Sequence, residues 1–286
     1  MKHSNPSAFR PTDDALREGA RWVLRLEHVP RGGSSGDLLG RGGGSSMEFH
    51  DRRPYAPGDD VRHIDWRALA KTDQVLVRVH REEVAPRLDL FVDVSASMAT
   101  SEVKAQKAVD LAAVLALSAR SGGYDVRLVA LGDRTQRVSE DELLQEGLRF
   151  DAKRPLGDAA AEAAGEVRPS SVRLVVSDFL TPTDPAHLVR PFGHGAGRVG
   201  LLQVLSAEDA EPGATGALRL VDAERDEIRE VLVDKAALGR YEQRLARLQA
   251  GLAEASQRHG GLFLTLPPLG DLASSLAAMA GLGIVG

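Results

Sequence analysis

From residue 88 onward the chain alternates between two hydrophobic patterns. Short, nearly unbroken apolar runs occur at residues 88–94, 125–132, 134–139, 171–177, 198–205 and 261–266. Longer stretches with apolar positions at helical spacing fill residues 101–121, 140–148, 157–166, 184–191, 234–258 and 270–281. Compact runs bounded by turn residues predict buried strands, and the longer periodic stretches predict helices. Most of these helices are long enough for crossover connections, so the pattern predicts a doubly wound, mostly parallel α/β sheet. One excursion interrupts it: Leu218 to Val221 and Ile228 to Val233 flank the charged turn Asp222-Ala-Glu-Arg-Asp-Glu227, which predicts a hairpin over residues 216–233.

The first third reads differently. Residues 12–28 predict an amphipathic helix, with Ala15, Leu16, Ala20, Val23 and Leu24 on its apolar side and Pro30 as its stop. Residues 31–46 are Gly/Ser-rich and predict a loop. Short β segments are expected at 47–49 and at 74–81, where Val75, Val77 and Val79 alternate with polar residues. The expected organisation is an N-terminal extension over residues 1–86, made of helix, loop and β segments, followed by an α/β domain over residues 87–286.

Composition narrows the function classes. With 43% hydrophobic and 27% charged residues the chain has enough apolar surface to fold, and at 4% aromatics its core must be aliphatic. The absence of cysteine excludes disulfides, thiolate metal sites and cysteine nucleophiles. A net charge of -5 supplies no global attraction to nucleic acid or an anionic membrane, so no nucleic-acid partner is expected. Residues 1–11 lack the apolar core of a secretory signal, and the charge-free residues 272–286 fall short of the roughly 20 needed to span a bilayer. The expectation is a cytoplasmic protein without a membrane span.

Candidate chemistry begins where the first strand of the α/β domain ends. Asp93, Ser95 and Ser97 place one carboxylate and two hydroxyls on alternate residues of one short loop. Such an oxygen set suits Mg²⁺, or Mn²⁺, whose shell is completed by waters and by an oxygen from a partner. Asp178 ends a second buried run, residues 172–178. If the two strands are parallel neighbours, both carboxylates share one carboxyl edge and one cation, with Asp178 acting through water. The structural alternative is that these residues only turn the chain and cap the following helices. Enzyme-like strings fail on context. Gly32-Gly-Ser34-Ser-Gly36 has no strand before it, Gly195-Ala-Gly197-Arg-Val-Gly200 leads into a strand instead of leaving one, and no Walker A string is present.

Asp93-x-Ser95-x-Ser97 followed much later by Asp178 resembles the metal-ion-dependent adhesion site of the von Willebrand factor A fold, a Rossmann-like α/β architecture. That resemblance implies one further threonine ligand from an intervening loop. The matching stretch begins Lys153-Arg-Pro, so Arg154 or Pro155 stands where the hydroxyl is expected and a cation enters the neighbourhood instead.

A longer string, Arg53-Pro-Tyr55-Ala-Pro-Gly58-Asp59-Asp60-Val-Arg62-His-Ile64-Asp65-Trp66, resembles the signature of the bacterial domain-of-unknown-function family fifty-eight. Ser177-Asp178, Asp209-Ala-Glu211, Gly216 and Leu220-x-Asp222 extend the likeness over roughly residues 30–266. The resemblance implies a MoxR-class AAA+ ATPase as partner, and an adaptor that links ATP-driven remodelling to a client protein. Read from its residues, the string forms a turn at Gly58 with Asp59 or Asp60 on turn amides and Arg62 paired to Asp65 or Asp60. Ile64 and Trp66 are expected to face inward as a clasp; a docking surface is the alternative.

The leading expectation is a non-enzymatic, metal-dependent interaction module. Two rivals are metal-assisted hydrolysis at the same carboxylates, with Asp178 or Glu102 as general base, and a metal-free structural domain.

Overall fold

The computed structural model describes residues 8–26, 52–72, 74–78, 85–225, 227–268 and 270–286. The predicted strand at 47–49 and the Gly/Ser-rich stretch lie outside them. Two compact units emerge, Met1–Arg31 with Ala85–Gly286, and Gly32–Val84. The chain opens with α1 (Asp13–Arg21), N-capped by Thr12, whose side chain accepts from the Ala15 amide. This helix was expected within the N-terminal extension but packs on the larger unit. A Cβ on Gly19 would lie 2.9 Å from Leu117 Cβ, so glycine permits the close approach. The helix also ends well before residue 28. From Trp22 the backbone is extended, and the amides of Val23, Leu24 and Arg25 donate to Gly286, Ser118 and Ile284. Tertiary partners for the backbone thus outweigh the amphipathic pattern.

The smaller unit contains β1 (Arg52–Pro54), α2 (Trp66–Thr72) and β2 (Leu76–Arg78), with β1 and β2 antiparallel. The strand expected over 74–81 is therefore shorter where it is described, and α2 was not anticipated.

The larger unit carries a six-stranded sheet of β3 (Arg87–Asp93), β4 (Asp125–Leu131), β5 (Thr135–Val138), β6 (Val172–Ser177) and β7 (Arg198–Gln203), completed after the hairpin β8 (Gly216–Val221) and β9 (Ile228–Val233) by β10 (Leu262–Thr265). Its helices are α3 (Glu102–Ser121), α4 (Glu140–Gln145), α5 (Leu156–Ala163), α6 (Pro185–Gly193), α7 (Ala207–Ala210), α8 (Lys235–Arg258) and α9 (Leu272–Gly281). Strand order is β10-β7-β6-β3-β4-β5, parallel except for β5 at one edge. The predicted mostly parallel α/β sheet is thereby found.

Alternation along β3 explains the two layers. Leu88, Leu90 and Val92 enter a core shared with α1, α3 and α9, while Phe91 enters the opposite core with residues of α5, α6 and α8. A parallel sheet must be covered on both faces, which is why its strands read as continuous apolar runs. From β3 the chain passes to β4 on one side and later to β6 on the other, so β3 and β6 flank the topological switch point. Ligands of open α/β sheets bind beyond the carboxyl ends of such strands. The opposite end of β3 is closed by an ion pair, Asp89 with Arg168 at 2.5 Å.

Candidate metal centre

Asp93 ends β3 and Ser177 ends β6, so the seam between these strands delivers both to one edge. The chain after Asp93 is shaped by its own amides. Ser95 N donates to Asp93 Oδ1 at 2.9 Å, and residues Ala96–Ala99 form a 3-10 turn. Ser95 also bridges to Ala152, with Ala96 N donating to Ala152 O at 2.8 Å. Held on both sides, the loop brings Ser95 Oγ and Ser97 Oγ to 2.9 Å. Adjacent oxygens of an octahedral Mg²⁺ shell, with bonds of about 2.0–2.1 Å, also lie about 2.9 Å apart. The two hydroxyls therefore have the spacing of neighbouring ligands.

The second carboxylate arrives through a strained turn. Ser177 Oγ donates to Asp93 Oδ2 at 2.6 Å and accepts from Phe179 N at 2.9 Å. Phe179 has φ 56°, a left-handed conformation that costs a non-glycine residue roughly 1–2 kcal/mol. Asp178, between them, is buried; its Oδ1 accepts from Leu180 N at 2.9 Å. Its Oδ2 accepts from Lys104 Nζ at 3.0 Å, and the same ammonium donates to Asp209 Oδ2 at 2.9 Å. Asp209 closes the capping box of α7 with Ser206, and its backbone oxygen accepts from Tyr241 on α8.

All four expected site residues thus stand at this edge, with Asp93, Ser95 and Ser97 joined directly and Asp178 turned toward Lys104. Lys104 was missed. Its sequence signal is a lysine on the first turn of a helix whose other face is alanine-rich, which reads equally well as a solvated residue. Arg154, expected to bring a cation close, pairs instead with Glu162, and its amide donates to Asp133 Oδ1 at 3.0 Å. Glu102, the other base considered for hydrolysis, is exposed at the start of α3.

Burial, and after it the nearby Asp178 charge, push the Asp93 carboxyl up to about 6 against the hydrogen bonds from Ser177 and Ser95. For Lys104, burial works downward, but Asp178 and Asp209 outweigh it and hold the ammonium above its ordinary range. Among the described residues no three His, Cys, Asp or Glu side chains are assembled to hold a metal ion. A cation here would rest on a mixed set, the Asp93 carboxylate with the Ser95 and Ser97 hydroxyls. Those oxygens are hard donors, and among the described residues no cationic side chain pairs with the buried Asp93 carboxylate. The residues fit Mg²⁺ or Mn²⁺.

The string Arg53 to Trp66 builds local structure in the smaller unit. Asp59 Oδ2 accepts from Ala56 N at 2.9 Å around Gly58, whose φ is 108°. Asp60 accepts from the Arg62 amide and pairs with its guanidinium at 2.7 Å. Asp65 is buried and caps α2, accepting from the amides of Arg67 and Ala68 at 3.1 Å. This overturns the expected inward Trp66. The cap starts a helix at Trp66, the side-chain period changes from strand to helix, and the indole is 62% exposed while Ile64 is buried.

Residues 51–251 match the family described as "Protein of unknown function DUF58". An uncharacterized protein of Mycobacterium tuberculosis is 31% identical over 249 residues, covering 81% of this chain and 78% of its own length. An uncharacterized protein of Mycobacterium bovis matches to the same extent. Among solved structures, a conserved hypothetical protein, BatB, from Bacteroides thetaiotaomicron aligns at TM-score 0.40 and 11% identity, over 70% of this chain and 98% of that one. An aerotolerance-related membrane protein from Bacteroides fragilis aligns at TM-score 0.38 and 15% identity, over 68% and 96%. Among the described residues no helix is long and apolar enough to cross a membrane.

Proposed function

We propose, for a chain that belongs to the DUF58 family, a non-enzymatic interaction module that engages a partner through a divalent cation at the carboxyl edge of a von Willebrand factor A-like sheet. One observation carries this reading: Ser95 Oγ and Ser97 Oγ lie 2.9 Å apart beside Asp93, at the switch point of the sheet. Asp93, Ser95 and Ser97 would hold Mg²⁺, with Asp178 acting through water. When bound, the ion supplies an open coordination position for a carboxylate of the partner.

The chain's own residues prepare that encounter. Ser177 and the Ser95 amide fix both oxygens of Asp93, so the carboxylate loses little freedom when a cation binds. Lys104 partly offsets the charges of Asp178 and Asp209, which limits repulsion between carboxylates at the edge. The hydroxyl that donates to the Asp93 carboxylate, that of Ser177, is fully buried, which favours binding over hydrolysis. We place the protein in the cytoplasm as an adaptor between a MoxR-class AAA+ ATPase and a client protein.

The test is retention of that ATPase on the immobilised full chain in Mg²⁺, in chelator, and with Asp93→Ala. Retention in Mg²⁺ that is lost in both other conditions supports the reading; equal retention in all three overturns it.

One observation favours a second, metal-free reading. The Lys104 ammonium already bridges two carboxylates at this edge, as a structural cation does. Calorimetry with Mg²⁺ separates the two: heat of binding that vanishes in Asp93→Ala belongs to the first reading alone.

A further inference from the structure

Strands β8 and β9 form a two-stranded ribbon outside the main sheet. Alternation gives the ribbon two faces. On one of them Gly216, Leu218 and Val233 are half-buried. The other carries Ala217, Arg219 and Val221 from β8 opposite Leu232, Glu230 and Ile228 from β9, and all six of these residues are exposed. An antiparallel sheet normally turns polar residues to its solvated side. Here Leu232 is 76% exposed, Val221 61% and Ile228 52%, and none of the three joins either core of the main sheet. A two-stranded hairpin is marginal by itself in water, so an outer face this apolar gains from being covered.

The charges on that face identify what covers it. Arg219 and Glu230 are register partners in the middle of the ribbon, between the pairs Val221–Ile228 and Ala217–Leu232, yet among the described residues no ion pair joins them. Each strand therefore presents one open charge, positive on β8 and negative on β9. A two-fold axis parallel to the strands lays β8 of one copy over β9 of another. Arg219 then meets the partner's Glu230, Glu230 meets the partner's Arg219, and Val221 covers the partner's Ile228. A two-fold axis across the strands would instead set arginine against arginine and glutamate against glutamate, which repel. We propose that this face is the interface of a homodimer, in which two copies stack hairpin on hairpin with both turns at the same end. The contact is isologous and closes on itself. It needs no cation and is independent of the site at Asp93. Six residues a side are few beside the roughly 20–30 of a standard interface, so the dimer is weak and forms at high protein concentration.

Sedimentation velocity of the full chain in chelator, over rising concentration, tests this apart from any cation. The wild type shifts from monomer to dimer; a chain that stays monomeric into the millimolar range overturns the proposal. Leu232→Glu, Arg219→Glu and Glu230→Arg each weaken the dimer by about tenfold or more, since each sets an unpaired or like charge in the contact. All three positions are exposed, so the variants melt as the wild type does. Mixing Arg219→Glu with Glu230→Arg restores association, because both ion pairs of the mixed dimer again join opposite charges. Wild-type association in any single variant, or no association in the mixture, overturns the proposal.

Discussion

Lys104 and Asp178 form an ion pair at 3.0 Å in which neither side chain is more than 3% exposed. Their residues are 74 apart in sequence, on α3 and at the end of β6. The pair links the helix to the seam where the candidate site lies. Two buried ions satisfy each other at little net gain, but removing one leaves the other without compensation.

Lys104→Met should therefore destabilise the protein by about 3–5 kcal/mol at neutral pH, since Asp178 and Asp209 lose their shared counter-ion. Chemical denaturation checks this. Added Mg²⁺ should recover more stability in the variant than in the wild type, because the freed Asp178 charge becomes available to the cation. Loss of less than about 1 kcal/mol, the level of an exposed pair, would mean that the pair is open to water.

Asp93→Ala should abolish Mg²⁺ and Mn²⁺ binding in calorimetry, whereas Ser95→Ala and Ser97→Ala should weaken it to a smaller degree. Each serine contributes a neutral oxygen that water can replace; the carboxylate contributes the charge. Wild-type affinity in Asp93→Ala would remove the site.

The raised Asp93 pKa sets a pH signature for the metal-free protein. Between the ordinary value near 3.8 and the folded value of about 6, the folded chain holds a proton that the unfolded chain releases. The contribution to stability is full below the lower value and lost as pH rises through the upper one. The melting temperature difference between wild type and Asp93→Asn should shift against the wild type over that window, and stay flat above it. Mg²⁺ needs the ionised carboxylate, so its stabilising effect should grow over the same window. A pH-independent difference would place the Asp93 titration elsewhere.

Trp66→Ala should change stability by no more than about 1 kcal/mol, as expected for a surface position, while weakening partner retention if the indole is a contact residue. Asp65→Ala should cost about 1–2 kcal/mol, because it removes the cap of α2 and leaves the Arg67 amide and the buried Ala68 amide without their acceptor. Thermal melts of the two variants side by side check the contrast. A larger loss for Trp66→Ala than for Asp65→Ala would restore the clasp.

The alternation of apolar runs was enough to place every strand of the main sheet and the hairpin within a few residues, because burial on both faces demands continuous apolar strands and crossover helices demand length. It also put Asp93, Ser95 and Ser97 on one loop, since three alternate residues after a strand cannot be far apart. Contacts between distant segments were not legible in this way. Nothing in the spacing told that Lys104 reaches Asp178 and Asp209, or that Ser177 holds Asp93. Each depends on which strands become neighbours, and a charged side chain on a helix or turn reads the same whether it meets solvent or a buried carboxylate. Trp66 failed for a related reason: alternation with Ile64 read as strand, until the buried Asp65 cap started a helix and turned the indole outward. Local pattern determined the elements and the first loop of the site; packing between elements decided its charges.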